Sequence, residues 1–97
     1  AFDSLLQRVC GLPNASRRML KELVIQDREI SARQLAILSD LSEATIRTSR
    51  TYMPLSTLGL AEHRGGGSFA PTLRRYLSQN CANLEPDALI DQLVKAI

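Results

Sequence analysis

The fold is decided by the stretch Ser31-Ala32-Arg33-Gln34-Leu35-Ala36-Ile37-Leu38-Ser39-Asp40-Leu41-Ser42-Glu43-Ala44-Thr45-Ile46-Arg47. Ser31 is followed three residues later by Gln34, which is the pattern of a capping box and predicts that a short helix begins here. The connection 39–41 is only three residues long, and Ser42 then predicts the start of a second helix. Two helices joined by so short a turn indicate a helix-turn-helix.

The second helix of this pair is predicted over residues 43–53. With Ile46 facing the core, the period of about 3.6 residues per turn places Met53 on the same side. Pro54 does not fit a helix interior, so we expect a break or kink near it, followed by a further turn of helix over 55–58. The side chains left on the outward face are Ala44, Arg47, Thr48 and Thr51.

The periodicity changes again after Gly59. Residues 60–64 and 69–71 can form extended strands, and Gly65-Gly66-Gly67-Ser68 is typical of a flexible turn. These features predict a β-hairpin, or wing, over 60–71. Because its tip carries almost no side chains, the backbone there could approach a duplex closely.

The chain is predicted to be a single domain, 1–97, because 97 residues are too few for two cores. It should be mainly α with a small β-hairpin: about five to six helices, with a helix-turn-helix core over 15–72. The further helices that the apolar patterns predict lie over 2–10, from Asn14 or Ser16 onward, over 73–80 and over 86–97.

The two flanking helices, 2–10 and 86–97, leave two alternatives open. Their apolar stripes either pack on the central core or form a two-fold homodimer. The residues that the helical spacing predicts for the core are Phe2, Leu5, Leu6, Val9, Cys10, Met19, Leu20, Leu23, Val24, Leu35, Leu38, Ile46, Met53, Leu89, Ile90, Leu93, Val94 and Ile97. Ile30 is predicted to enter the core as a short extended residue.

The composition narrows the class of protein. Ten of the twelve basic residues are arginine, the side chain suited to forked contact with phosphates or guanine edges. No apolar run approaches the roughly 20 residues of a membrane span, and no secretory signal pattern is present. We therefore expect a cytoplasmic protein without a membrane partner. Cys10 and Cys81 are predicted to be two buried thiols, with a disulfide between them as the alternative.

The sequence offers little for catalysis. His63 is the only histidine and has no companion at metal-ligand spacing. There is no nucleophile elbow, and the glycines at 65–67 are not followed by the Lys-Ser/Thr pair of a phosphate loop. We therefore expect no enzyme activity, no cofactor and no metal site.

The order helix, helix-turn-helix, hairpin resembles the winged helix-turn-helix domain of transcription regulators. The likeness covers residues 31–69, about 40% of the chain. Residues 31–36 look like the first helix of the pair, and residues 42–47 are very similar to the recognition-helix start of the DeoR and GntR classes of bacterial regulators. Leu58-Gly59-Leu60 looks like their exit into the wing, and 64–67 resembles the wing tip of the DeoR class.

This sequence departs from the pattern of those regulators in two ways. The stretch between Ser42 and Gly59 is about two residues longer than usual, and Pro54 interrupts it. The chain also carries no sugar-phosphate sensing domain of the DeoR class.

The resemblance implies sequence-specific binding of double-stranded DNA and transcription regulation at the nucleoid. Residues 43–53 would be the recognition helix in the major groove, with the wing 60–71 on the backbone or in the minor groove. Base contacts are implied for Glu43, Ala44, Thr45, Arg47 and Thr48. Backbone contacts are implied for Ser31, Arg33, Arg50, Thr51, Arg64 and Gly66.

Charge is distributed unevenly along the chain. Residues 31–75 hold six arginines against three acidic residues, a local charge of +3, whereas residues 76–97 have a local charge of −2. This uneven distribution of charge favours DNA as the partner. We expect the chain to bind DNA as a homodimer or as part of a larger protein, and the start at Ala1 without Met indicates the second. The alternatives are a winged-helix scaffold for protein interaction and an accessory DNA-binding domain of a larger replication or segregation protein.

Overall fold

A computed structural model describes residues 2–97, which form seven helices and three short strands. The helices are α1 (Phe2–Cys10), α2 (Asn14–Gln26), α3 (Ala32–Ser39), α4 (Glu43–Arg47), α5 (Ser49–Leu58), α6 (Leu73–Asn80) and α7 (Pro86–Ala96). The strands are β1 (Ile30–Ser31), β2 (Ala61–Arg64) and β3 (Ser68–Pro71), in one antiparallel sheet of order β1-β3-β2. The prediction of a mainly helical fold with a small hairpin is confirmed, with a third strand and more helices than expected.

Both predicted helix caps are present in the central segment. Ser31 Oγ accepts a hydrogen bond from the Gln34 amide at 3.1 Å. Ser42 Oγ accepts one from the Thr45 amide, also at 3.1 Å. Between α3 and α4 the chain turns at Asp40, whose backbone is left-handed (φ 56°). Each cap pairs an amide that a helix start otherwise leaves free, which stabilises by about 1 kcal/mol. Local sequence therefore fixes where both helices begin.

The helix after this turn ends earlier than predicted. α4 stops at Arg47 and Thr48 is extended (φ −77°, ψ 129°), so the break lies at Thr48 and not near Pro54. The Thr48 hydroxyl donates to the Ala44 carbonyl at 2.7 Å, the acceptor that the next helical amide would use. Pro54 is accommodated inside α5, where its missing amide leaves the Arg50 carbonyl without its usual intrahelical donor.

The break resets the register of α5. Met53, predicted to face the core, is 48% exposed, whereas Thr51, predicted on the outward face, is only 6% exposed. Leu55 takes the core position and is fully buried. The Thr51 carbonyl accepts a hydrogen bond from Ser16 Oγ at 2.6 Å, which ties α5 to α2. The predictions for Met53 and Thr51 were wrong for one reason, because they assumed a continuous helix.

Two further predictions of burial were wrong. Leu38 is exposed, because the inward stripe of α3 passes through Leu35 and ends at Ser39, whose hydroxyl donates to the Leu35 carbonyl at 2.6 Å. Cys10 is exposed at the end of α1, beyond the buried stripe of that helix. Cys81 is buried as predicted, and both thiols are free.

The hairpin predicted over 60–71 is confirmed, and its second strand also pairs with the residues that precede α3. β3 lies between β1 and β2, so Phe69 pairs with Ile30 on one side and with His63 on the other. The Ala32 amide donates to the Gly67 carbonyl at 2.8 Å, so the start of α3 is bonded to the hairpin tip. The pair of helices α3 and α4 and the hairpin are therefore parts of one hydrogen-bonded unit.

The helices α1 and α7 bury their apolar stripes in the same core as the central helices. Phe2, Leu5 and Val9 of α1 are buried, as are Leu89 and Leu93 of α7. The two helices pack on each other, and α7 also packs on α2. Of the two alternatives for these helices, packing on the core is confirmed. Leu6, Ile90, Val94 and Ile97 of the same stripes pack against this core but stay partly exposed.

Candidate nucleic-acid interface

The short helix α4 carries the five residues predicted to contact bases. Ala44, Arg47 and Thr48 are exposed, and Glu43 and Thr45 are partly exposed. The hydroxyl of Thr45 is bonded to that of the capping serine at 2.8 Å, and the hydroxyl of Thr48 is bonded to the helix backbone. Both hydroxyls are thus engaged within the helix-turn-helix. Arg47 is the long side chain on this face that has hydrogen-bond donors available to a ligand.

Arg47 links α4 to the hairpin. Its Nε lies 2.9 Å from Oε2 of Glu43, an ion pair between residues four apart on one helix. Its guanidinium extends across Gly67, because a Cβ placed on that glycine would lie 2.6 Å from Nη1 of Arg47. The Arg47 side chain is still 50% exposed, so its donors remain accessible from outside.

Gly67 is the point where three elements meet. Its backbone is left-handed (φ 79°), a conformation that residues with a side chain rarely adopt. Its carbonyl accepts the amide of Ala32 in α3, and its Cα faces the guanidinium of Arg47 in α4. The three tip glycines look equivalent in the sequence, but only this one contacts the helix-turn-helix. Gly66 has a similar φ of 86° and open space around it.

Gly67→Ala is therefore expected to lower the free energy of unfolding by about 1–2 kcal/mol through the left-handed backbone and, in addition, to displace Arg47. Gly66→Ala is the matched control, since it has the same backbone cost and no neighbour to displace. Urea unfolding measures the first effect, and the NMR resonance of the Arg47 Nε–H group reports the second. An Arg47 resonance that moves equally in both variants would contradict this geometry.

The residues predicted to contact the DNA backbone do not share one environment. Ser31 and Gly66 are exposed, at the start of α3 and at the hairpin tip. Arg33 is exposed in the first turn of α3 and forms no ion pair with any residue of 2–97. Arg50 is likewise exposed and without an ion pair in that range, but it lines a groove that it shares with Arg8.

Two of the predicted backbone contacts need revision. Thr51 is buried against α2, so its side chain has no access to a phosphate. Arg64 is exposed but lies between two carboxylates, with Nη1 3.3 Å from Glu29 and Nε 3.4 Å from Glu62. A phosphate would have to compete with both acidic groups for this arginine.

Other arginines of the basic segment are also paired. Arg74 lies 2.9 Å from Asp87 and 3.2 Å from Asp27, and Arg75 lies 3.6 Å from Glu62. The pKa of Arg74 is raised above its ordinary value, mainly by the hydrogen bond with Asp87. Desolvation acts on this pKa in the opposite direction but is outweighed. Exposed pairs of this kind contribute little to stability, but they reduce the positive potential. The local charge of +3 over 31–75 therefore overstates the attraction for an anion.

Sequence reasoning missed two parts of this region. Glu29 accepts hydrogen bonds from Arg64 of β2 (3.3 Å) and from Ser68 Oγ of β3 (2.7 Å), so it holds both strands of the hairpin. His63 stacks on Phe69 with the ring centroids 4.8 Å apart, and it lies 4.7 Å from the ring of Tyr52. His63 thus has a packing role between the hairpin and α5. The contacts of Glu29 have no local sequence signal, because Arg64 and Ser68 are 35 and 39 residues away in the chain. The pairing of His63 with Phe69 depends on the exact register of the hairpin.

Comparisons with protein-family models, with curated proteins and with solved structures gave no match. Within residues 2–97, no three side chains of His, Cys, Asp or Glu lie close enough to hold a metal ion. None of the helices in this range has the length and apolar character needed to cross a membrane. The function is therefore argued from the geometry of this chain alone.

Proposed function

We propose that this chain is a winged helix-turn-helix domain that binds double-stranded DNA sequence-specifically, as transcription regulators do. Its helix α4 would enter the major groove, and the hairpin formed by β2 and β3 would lie on the adjacent backbone or in the minor groove. The observation that supports this most is the position of Arg47 across Gly67, because it joins the helix and the hairpin tip into one exposed surface.

Arg47 is the residue suited to reading a base. Its forked donors match the O6 and N7 acceptors of guanine. Its present partner, Glu43, is 43% exposed, and an exposed pair within one helix is weak enough for a guanine edge to displace it. The exposed neighbours Ala44 and Thr48 each have a methyl group, the chemistry that contacts the methyl of thymine.

Arg33 is the residue suited to a phosphate. It is exposed, has no carboxylate partner among residues 2–97, and lies in the first turn of α3. The start of a helix carries a partial positive charge that adds to the attraction for an anion. The backbone at the open tip glycine, Gly66, can approach a second phosphate, since nothing lies within 4 Å of a Cβ placed there. These contacts would position α4 without reading sequence.

A salt titration with a random duplex tests the proposal. We expect binding at about 50 mM salt that weakens towards about 200 mM, with a logarithmic slope of about −0.9 per phosphate contacted. Arg33→Ala should make that slope shallower by about one contact. Lys95→Ala removes one positive charge from α7 and is the matched control, with an unchanged slope expected. No binding at the lower salt concentration would contradict the proposal.

The paired arginines favour one other function, a winged-helix scaffold that binds a protein. Of the six arginines of residues 31–75, only Arg33 and Arg50 form no ion pair with a residue of 2–97. To bind DNA with useful affinity, the domain would need further phosphate contacts from a second copy or from the rest of a larger protein. Absence of duplex binding at low salt is the result that would favour the scaffold.

A further inference from the structure

A groove open to solvent lies between α5 and the turn that joins α1 to α2. Its volume is about 750 Å³, and most of its surface is apolar. The apolar part is formed by Leu12 and Pro13 of the turn and by Met53, Pro54 and Leu58 of α5. These side chains form one apolar surface that faces solvent and that another molecule can cover.

The groove results from the turn between α1 and α2 and from the break between α4 and α5. The Gly11-Leu12-Pro13 turn ends α1 and forms one wall. The break at Thr48 turns Met53 out of the core, where it is 48% exposed on the other wall. Pro54 lies beside it on the same helix. An uninterrupted helix over 43–53 would have directed this methionine inward and removed much of the apolar wall.

Two arginines border this apolar surface. Arg8 comes from the last turn of α1 and Arg50 from the first turn of α5, and both are exposed. Neither forms an ion pair with a residue of 2–97. No acidic residue lines the groove. The uncompensated positive charge here contrasts with the hairpin side, where Arg64 and Arg75 face carboxylates.

The shape and chemistry of the groove favour one kind of occupant over two others. A duplex presents phosphates and sugars, and interfaces with DNA are polar, so it would leave this apolar surface without a partner. The groove is open, so a small molecule there would leave much of its own surface in water, and a segment of protein fits the opening better. A segment of protein with apolar side chains on one face can cover such a surface.

We propose that the groove binds an acidic amphipathic helix of a partner protein. Apolar side chains of the helix would cover Met53, Pro54 and Leu58, and its carboxylates would pair with Arg8 and Arg50. This is the helix-in-groove mode of recognition, in which apolar anchors recur at helical spacing. Arg50 was also predicted to contact the DNA backbone, but Arg47, the residue proposed to read a base, does not line the groove, so variants of Arg47 test DNA binding without altering this site.

A pair of synthetic peptides of about 15 residues, long enough to form a helix, tests this proposal. Both have leucine along one face; the first has glutamate on the other face and the second has lysine. Fluorescence anisotropy with the whole chain should give about tenfold tighter binding of the acidic peptide. In the double variant Arg8→Glu/Arg50→Glu the order of the two affinities should invert.

Three controls make the result specific to the groove. Arg28→Glu/Arg33→Glu, a reversal of two exposed and unpaired arginines elsewhere with the same change of net charge, should leave the order of affinities unchanged. Met53→Asp should weaken the acidic peptide by about tenfold through loss of the apolar contact. All these side chains are exposed, so thermal unfolding should show parent-like stability. The last control adds random duplex DNA to the peptide complex, which should leave the peptide bound.

The proposal is overturned by any of three results. The order of affinities could persist after the double reversal at the groove, or Arg28→Glu/Arg33→Glu could invert it as well, which would indicate general charge attraction. Random duplex could displace the peptide with the same dependence on Arg8 and Arg50, which would assign the groove to nucleic acid. Failure of α4 to bind DNA would leave the peptide result unaffected, because Arg47 does not line the groove.

Discussion

Phe69→Ala is expected to lower the free energy of unfolding by about 3–5 kcal/mol. That is a large part of the about 5–15 kcal/mol that typically stabilises a domain. Phe69 is only 1% exposed and lies on β3, the central strand, between Ile30 and His63. Its ring also lies 5.5 Å from that of Tyr52 on α5. Alanine would leave a cavity where the sheet meets the helices, and all three strands would lose their common contact.

Urea unfolding followed by circular dichroism measures this loss, and two variants separate its causes. Phe69→Leu keeps most of the apolar volume and should cost about 1–2 kcal/mol. His63→Ala removes only the exposed stacking partner and should cost about 1 kcal/mol. A loss below about 1.5 kcal/mol for Phe69→Ala would show that the hairpin is not anchored in the core as the structure has it.

The elements that the sequence predicts are those with local signals. Ser31 and Ser42 form hydrogen bonds with amides three residues away, so their helix starts depend on few residues. The tip glycines and the apolar spacing of α1 and α7 are equally local, and the structure has those elements within a residue or so of the prediction. The mainly helical fold with its hairpin was therefore accessible from the sequence.

The break in the helix predicted over 43–53 could not be predicted from the sequence. Pro54 is the residue that sequence rules identify as a helix breaker, yet it lies inside α5. Thr48 makes the break instead, through a side-chain hydrogen bond that most helical threonines can also form without ending a helix. The choice between the two sites depends on burying Thr51 and Leu55 together, which is a tertiary effect. One misplaced break then misassigned both Met53 and Thr51.

The candidate interface was only partly predictable for a related reason. The exposed face of α4 follows from helical periodicity once Ile46 is placed in the core. The contacts that shape that face join residues far apart in the chain, such as Arg47 with Gly67 and Arg64 with Glu29. The groove beside Arg50 likewise needs the α1–α2 turn as its second wall. The net charge of a sequence segment does not show which arginines are paired with carboxylates.

Arg47→Ala is expected to weaken binding of the preferred duplex by about 5- to 150-fold, the equivalent of about 1–3 kcal/mol for one forked contact with guanine. A random duplex should lose only a few-fold, since there Arg47 can meet phosphates alone. The preferred sequence would be obtained by enriching a random pool on the parent protein, and both affinities would be measured at one fixed salt concentration.

Three control variants decide what Arg47 does. Arg47→Lys keeps the charge but lacks the fork, so it should restore binding of the random duplex and not of the preferred one. Arg33→Ala should weaken both duplexes equally, as a phosphate contact does. Glu43→Gln releases Arg47 from its ion pair at 2.9 Å and should strengthen binding of both duplexes. If Arg47→Ala weakened both duplexes to the same extent, Arg47 would be a phosphate contact, and sequence reading would have to come from another part of the molecule.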